Sequence, residues 1–196
     1  MDLISTIAIA MGGSWVSGIR LYAAVATLGL LGRFANLQLP GELDVLTNWW
    51  IIGIASGLFL IEFFADKIPY LDSGWDVVQT FIRIPAGAVL AAAAFGEFDR
   101  SIQVIALLLG GGLAFSAHAT KASARAAINL SPEPATNIVV SLFEDVVAVI
   151  SIVLAYVLPI LLIILVVAFV AISVFLLPKL VRLLRGFARK VAGVFG

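Results

Sequence analysis

NIVVSLFEDVVAVISIVLAYVLPILLIILVVAFVAISVFLLP, residues 137–178, decides the fold. As helix this stretch would run roughly 60 Å, about twice the hydrocarbon thickness of a bilayer. It must therefore cross, turn and cross again, and Pro159 marks the turn, within residues 156–159. The rest of the chain has the same character. Of 196 residues, 62% are hydrophobic and only 12% charged, against roughly 45–50% and 25% in soluble domains. Mean hydropathy is +1.15. A body this small cannot hide that much apolar surface from water, which excludes a soluble enzyme and a nucleic-acid binder.

Working outward from that stretch, four more segments have the length and apolarity of spans. Residues 3–33 are too long for one straight crossing and are broken by Gly12-Gly13 and Gly18. They read as one tilted helix, or as a half-helix followed by a span. The others are residues 48–67, 76–95 and 101–125. The expectation is an all-α, polytopic membrane helix bundle of about six transmembrane helices over residues 1–178. A basic amphipathic tail follows at residues 179–196. In it Leu180, Leu183, Leu184, Phe187, Val191 and Val194 recur at helical spacing between Lys179, Arg182, Arg185, Arg189 and Lys190. By the positive-inside rule the tail is cytoplasmic, and six crossings put both termini on that side. A re-entrant half-span in the first segment would move the N-terminus to the other side. Trp49-Trp50 and Trp75 fall at expected interfaces. The opening MDLISTIAIAMGG lacks a basic n-region, so it reads as mature chain rather than a signal peptide.

Two readings stay open for an internal parallel hairpin repeat. DVVQTFIR (76–83) aligns with NIVVSLFE (137–144), each following a span with Lys67 or Lys121 near its end. Either these are duplicated hairpins, or apolar helices resemble one another by chance. The repeat matches Asp76 with Asn137, Thr80 with Ser141 and Arg83 with Glu144. It predicts that Arg83 approaches Glu144 and that Asp76 faces Asn137.

An ionisable side chain inside a span costs about 2.5–3.5 kcal/mol on insertion scales, so it is paired or functional. Here there are many, arranged in stripes. Asp76, Thr80, Arg83 and Gly87 share one helical face, and Asn137, Ser141 and Glu144 another, with Asp145 beside it. Glu62 and Asp66 are four apart. His118, Lys121 and Arg125 are spaced i, i+3, i+7. Five acids (Glu62, Asp66, Asp76, Glu144, Asp145) balance five bases (Arg20, Lys67, Arg83, Lys121, Arg125). Balance points to an ion-paired network in a pocket facing the cytoplasm.

Pro85, two residues after Arg83, should kink its helix. The small residues Gly53, Gly57, Gly87 and Gly110–Gly112 read as helix-packing positions. The Gly triplet is no phosphate loop, since no strand and no Gly-Lys-Ser/Thr accompany it. His118 could carry a proton or serve as a hydrogen-bond partner. No cysteine is present, and no cofactor motif or hydrolase signature. A divalent metal between carboxylates and His118 is left open.

SGIRLYAAVATLGLLGRF, EFFADKIPYLDSGWDVVQTFIRIPAG and HATKASARAAINLSPEPATNIVVSLFEDV together resemble the bacterial domain-of-unknown-function family 4126. The likeness covers roughly residues 10–160, with one departure: Ile84 separates Arg83 from Pro85, where the family pattern has Arg-Pro adjacent. The resemblance implies a small integral membrane protein of the bacterial inner membrane and carries no activity.

The functional expectation is a transporter or channel for a small ion or polar solute, proton-linked, in contact with the lipid bilayer and forming a homo-oligomer. Its candidate residues are Glu62, Asp66, Asp76, Arg83, His118, Lys121, Arg125, Asn137, Ser141, Glu144 and Asp145. Alternatives are a membrane enzyme acting on a lipid head group and a structural or assembly protein.

Overall fold

The structure, a computed structural model, describes residues 1–35, 37–68, 71–128 and 134–195, apart from the side chains of 72, 73, 134, 185 and 187–195. Six α-helices follow one another: α1 (Leu3–Phe34), α2 (Trp49–Ala65), α3 (Leu71–Ala94), α4 (Arg100–Ile128), α5 (Pro134–Val157) and α6 (Pro159–Phe195). A 3-10 helix (Gly41–Thr47) precedes α2 and meets it at 74°. No strand occurs among the described residues. Five helices are long and apolar enough to cross a membrane, or six if the bent pair counts as one span.

Local chemistry sets the helix ends. The Asp2 carboxylate accepts the Ser5 N–H at 2.7 Å, and the Asn48 side chain accepts the Trp50 N–H at 2.9 Å. Hydrogen bonding to Ser5 holds the Asp2 carboxyl below the ordinary aspartate range. Asp99 accepts from Ser101 N–H at 2.8 Å at the start of α4. Pro159 opens α6 one residue after α5 ends, where a proline costs no hydrogen bond and the sequence put the turn.

α1 is the centre of the bundle, and it doubles back. Arg20 has φ −147° and ψ 74°, which breaks the helix between residues 3–19 and 21–34. A Cβ on Gly13 would lie 3.7 Å from a Leu28 methyl. In a straight helix those residues would be roughly 22 Å apart. The first arm descends along α3: the Ser14 hydroxyl donates to the Gly87 carbonyl and the Ser17 hydroxyl to the Arg83 carbonyl, each at 2.8 Å. The second arm climbs back along α2, with Gly29 against Ile52 and Phe34 against Trp49. Met1 and Thr6 share a cleft with Gly41, Glu97 and Phe98. Both ends of α1 thus lie at the end of the bundle that holds residues 35–48 and 95–100.

This corrects two expectations. The break falls at Arg20, not at Gly12-Gly13 or Gly18, and the first segment is a hairpin rather than a single crossing. α6 runs parallel to the first arm, away from the end that holds both ends of α1, with Leu162 by Gly12, Phe169 on Trp15 and Ser173 bonded by Thr120. Asp2 and the C-terminal half of α6 therefore lie at opposite ends of the bundle.

The glycines explain the tightness. A Cβ at Gly18 would meet the Ala114 carbonyl at 2.3 Å, and one at Gly110 the Ala91 Cβ at 2.4 Å. Gly53, Gly57 and Gly112 face nothing within 4 Å, so the packing role expected of them is absent within one chain. Gly41 has φ +59°, a turn that only glycine adopts without strain, against the Ala93 carbonyl. Outward positions are apolar: Trp50 is 80% exposed and Phe81 79%. Charge inside and hydrocarbon outside is the arrangement a bilayer imposes. Helix α3 continues through Pro85, and α6 through Pro178, so the boundary at 178 is a change of composition and not a break. The tail positions Arg185, Phe187, Arg189, Lys190, Val191 and Val194 have side chains outside the described set.

Candidate functional site

The break in α1 is where the charges meet. Arg20 is wholly buried, and its guanidinium is shared among four carboxylates. It pairs with Asp66, lies 2.9 Å from Asp145 and 3.3 Å from Glu144, and reaches Glu62 at 3.9 Å. It also donates to the Ser141 hydroxyl at 3.0 Å and the Ser141 carbonyl at 3.3 Å. The close approach of Nε to Asp145 is an ion pair without hydrogen-bond alignment. A guanidinium offers five donors in a plane, which is why one residue can serve four acids. The extended dihedrals at Arg20 are the local consequence of placing that fork at the apex of the hairpin.

Arg83, also wholly buried, pairs with Glu62 and, at 2.7 Å, with Asp76 seven residues earlier on the same helix. Its NH1 stands 3.5 Å from His118 Nδ1, and His118 Nε2 stands 2.7 Å from the Thr80 hydroxyl. Thr80 donates to the Asp76 carbonyl at 2.9 Å, so its oxygen is left to accept from an Nε2–H. In that arrangement an Nε2 proton faces Thr80 and Nδ1 turns toward Arg83.

Arg125 grips Glu144 with two parallel bonds, at 3.1 and 2.8 Å, and also donates to the Asn137 side chain. Asn137 in turn donates to the Asp66 carbonyl at 3.3 Å. Lys121 lies among the three arginine groups, 3.1 Å from Asp66, 3.5 Å from Asp76 and 3.6 Å from Glu144. Lys67 sits at the rim over the Phe63 ring, 3.9 Å from Asp145. Its burial against that ring pulls the Lys67 ammonium below the ordinary lysine range.

The structure brings all eleven sequence-predicted residues into this one cluster. The predicted Arg83–Glu144 pairing is not what holds it. Arg83 takes Glu62 and Asp76, Glu144 takes Arg125, and Lys121 bridges Asp76 to Glu144. Nor does Asp76 bond Asn137; its partners are Arg83 and Lys121. Two functional groups were missed: Arg20, counted among the charges but not as a site residue, and the Ile19 carbonyl, which accepts from Lys121 at 3.2 Å. The signal for Arg20 was present, as the one charge in a 32-residue helix until Arg33.

The arginines and Glu62 and Asp66 at the centre of the cluster are wholly buried, while Glu144, Asp145 and Lys67 at its edge are partly exposed. The clefts described on the surface, such as the apolar one lined by Ala10, Ala91 and Ala106, lie away from it. One oxygen each of Glu62, Asp66 and Asp76 has no hydrogen-bond partner although buried. Among the described residues no group of three His, Asp or Glu side chains could hold a metal ion.

The sequence profile of Domain of unknown function (DUF4126) matches residues 7–179. The chain belongs to this family. The match takes in α2 to α5, most of α1, the first part of α6 and every charge of the cluster, so the network is built wholly from the DUF4126 segment. No curated protein and no solved structure matches the chain. This DUF4126 chain is thus a multi-pass membrane bundle whose interior is ionic.

Proposed function

We propose that this DUF4126 protein moves a small ion or polar solute across the bacterial inner membrane, coupled to protons, through the buried charge cluster. The observation that carries the reading is the coincidence of the interrupted helix with the network: α1 breaks where Arg20 enters it. Discontinuous helices with polar groups at the break are how membrane bundles build solute sites. The buried carboxylate oxygens without partners are acceptors for a proton or cation. Opening exchanges ion pairs within the cluster for contacts with the solute.

Orientation follows from charge. Lys67, Lys179 and Arg182 lie at the cluster end, while Asp2, Glu42, Asp44, Glu97 and Asp99 lie at the other, with Arg33 and Arg100. The positive-inside rule makes the cluster end cytoplasmic and the N-terminus external. A homo-oligomer is part of the proposal, and a detergent-corrected mass of one chain would remove it.

One observation favours a structural role instead: each base of the cluster has a carboxylate partner. The enzyme alternative drew on a carboxylate–His118 metal grouping, for which the described residues offer no support. Flux into proteoliposomes across a panel of ions, comparing wild type with Arg83→Ala and Glu144→Gln, separates the readings. Transport predicts flux in wild type and at least a tenfold loss in both variants. Folded, reconstituted wild type that moves no solute leaves the structural role.

A further inference from the structure

We infer that Lys121 occupies a monovalent-cation site and acts as its built-in competitor, so that the solute is a large monovalent cation exchanged for the proton Lys121 carries. The inference rests on the transport reading for the exchange, though not for the site. Four oxygens from four segments surround the Lys121 ammonium: the Ile19 carbonyl at 3.2 Å, Asp66 at 3.1 Å, Asp76 at 3.5 Å and Glu144 at 3.6 Å. The Lys121 side chain is 2% exposed. Ile19 ends the first arm of α1, so its carbonyl belongs to the negative end of a helix dipole left free by the break. Half-helix C-termini with unwound carbonyls coordinate cations in membrane bundles.

The surrounding carboxylates are not saturated by Lys121. Asp66 Oδ1 and Asp76 Oδ2 are buried and without hydrogen-bond partners, which leaves acceptors for a mobile ion; so is Oε2 of Glu62, the partner of Arg83. The distances select the class. A cage that holds the Lys121 ammonium has room for an ion of ammonium or potassium size, onto which its oxygens would close from the 3.1–3.6 Å they keep around Nζ. Those distances are far beyond the roughly 2.3–2.6 Å of calcium or the 2.0–2.1 Å of magnesium.

Charge gives the stoichiometry. With five acids and five bases the cluster is neutral, so a cation can enter only if one positive charge leaves. An arginine cannot release its proton, whereas a lysine can. Lys121 gives one proton to water, the neutral amine leaves the cage, and one cation takes its place. The reverse steps complete a one-for-one, electroneutral exchange.

The test uses the full chain purified in detergent, weakly buffered, with potassium chloride added against choline chloride at equal ionic strength. Wild type should release about one proton per chain with potassium and none with choline. Lys121→Arg, a fixed cation, should stay folded by circular dichroism and release none. Lys121→Met, which keeps the stem but empties the cage, should gain several degrees of melting temperature from potassium alone. No potassium-specific release from wild type, or release that survives in Lys121→Arg, overturns the inference. Potassium-linked release without flux in liposomes keeps the cage and removes transport. Flux without such release keeps transport and removes the cage.

Discussion

Replacing Arg20 by methionine keeps a long unbranched side chain and removes one buried charge. The structure sets the size of the effect. Arg20 is wholly buried and holds Asp66, Asp145 and Glu144, with Ser141 as a further acceptor. Single interhelical polar contacts in membranes average only about 0.6 kcal/mol. Removing one partner of a buried ion pair, however, leaves an uncompensated charge and costs about 3–5 kcal/mol. The second effect wins here, because five acids would face four bases at a site where Arg20, Glu62 and Asp66 are wholly buried. The unfolding equilibrium should shift by roughly a hundredfold to a few thousandfold, at about 1.4 kcal/mol per decade. Arg33→Met is the control: Arg33 donates to Thr47 at 3.2 Å and stacks 4.5 Å from the Trp49 ring at the exposed end. There about 0.5–1 kcal/mol is expected. Unfolding titrations in mixed micelles measure both. Adding Asp66→Asn to Arg20→Met restores the balance of charge and should recover part of the loss. An Arg20→Met shift no larger than that of Arg33→Met would refute the reasoning.

Gly18→Ala would push a methyl onto the Ala114 carbonyl, 2.3 Å away, and backbone cannot yield as a side chain can. A loss of about 1–3 kcal/mol in the same titration is expected, whereas Gly57→Ala, with nothing within 4 Å, should change a monomer by less than about 0.5 kcal/mol. Asp2→Cys and Asp99→Cys should label together from outside intact cells and Lys179→Cys only after the cytoplasmic face is opened; Asp2 labelling with Lys179 would end the hairpin topology. Thr80→Val removes the hydroxyl 2.7 Å from His118 Nε2, so the pH dependence of any flux should shift, while Thr120→Val, bonded instead to Ser173 at 3.2 Å, should leave it in place.

The site was legible because charge in an apolar helix has no cheap explanation: Glu62, Arg83 and Glu144 stand out against their neighbours, and the helical spacing places each on an inward face. What spacing within a helix cannot encode is register between helices. Aligning Arg83 with Glu144 gave them equivalent places, and groups in equivalent places find their own partners, Glu62 and Arg125. The fold was legible from hydropathy and length, including that residues 3–33 exceed one crossing. The break was misplaced because glycines were read as interrupters. Gly12 and Gly18 remain helical, since their missing side chains make room for Leu162 and the Ala114 backbone. The interruption falls instead at an arginine, pulled out of helical dihedrals by contacts that only tertiary structure supplies.

The doubled-back α1 also has a consequence for assembly. Its arms, about 17 and 14 residues or roughly 25 and 21 Å, are each short of the hydrocarbon thickness, yet it precedes every helix it packs against. Ser17 waits for a carbonyl 66 positions later, and Ile19 for an ammonium 102 positions later. Until α5 emerges, Arg20 lacks Ser141, Glu144 and Asp145, and an incompletely paired arginine is poorly tolerated in lipid. The hairpin should therefore be held at the membrane surface or by the insertion machinery while the later helices enter. The oldest segment of the nascent chain becomes the keystone set in place last.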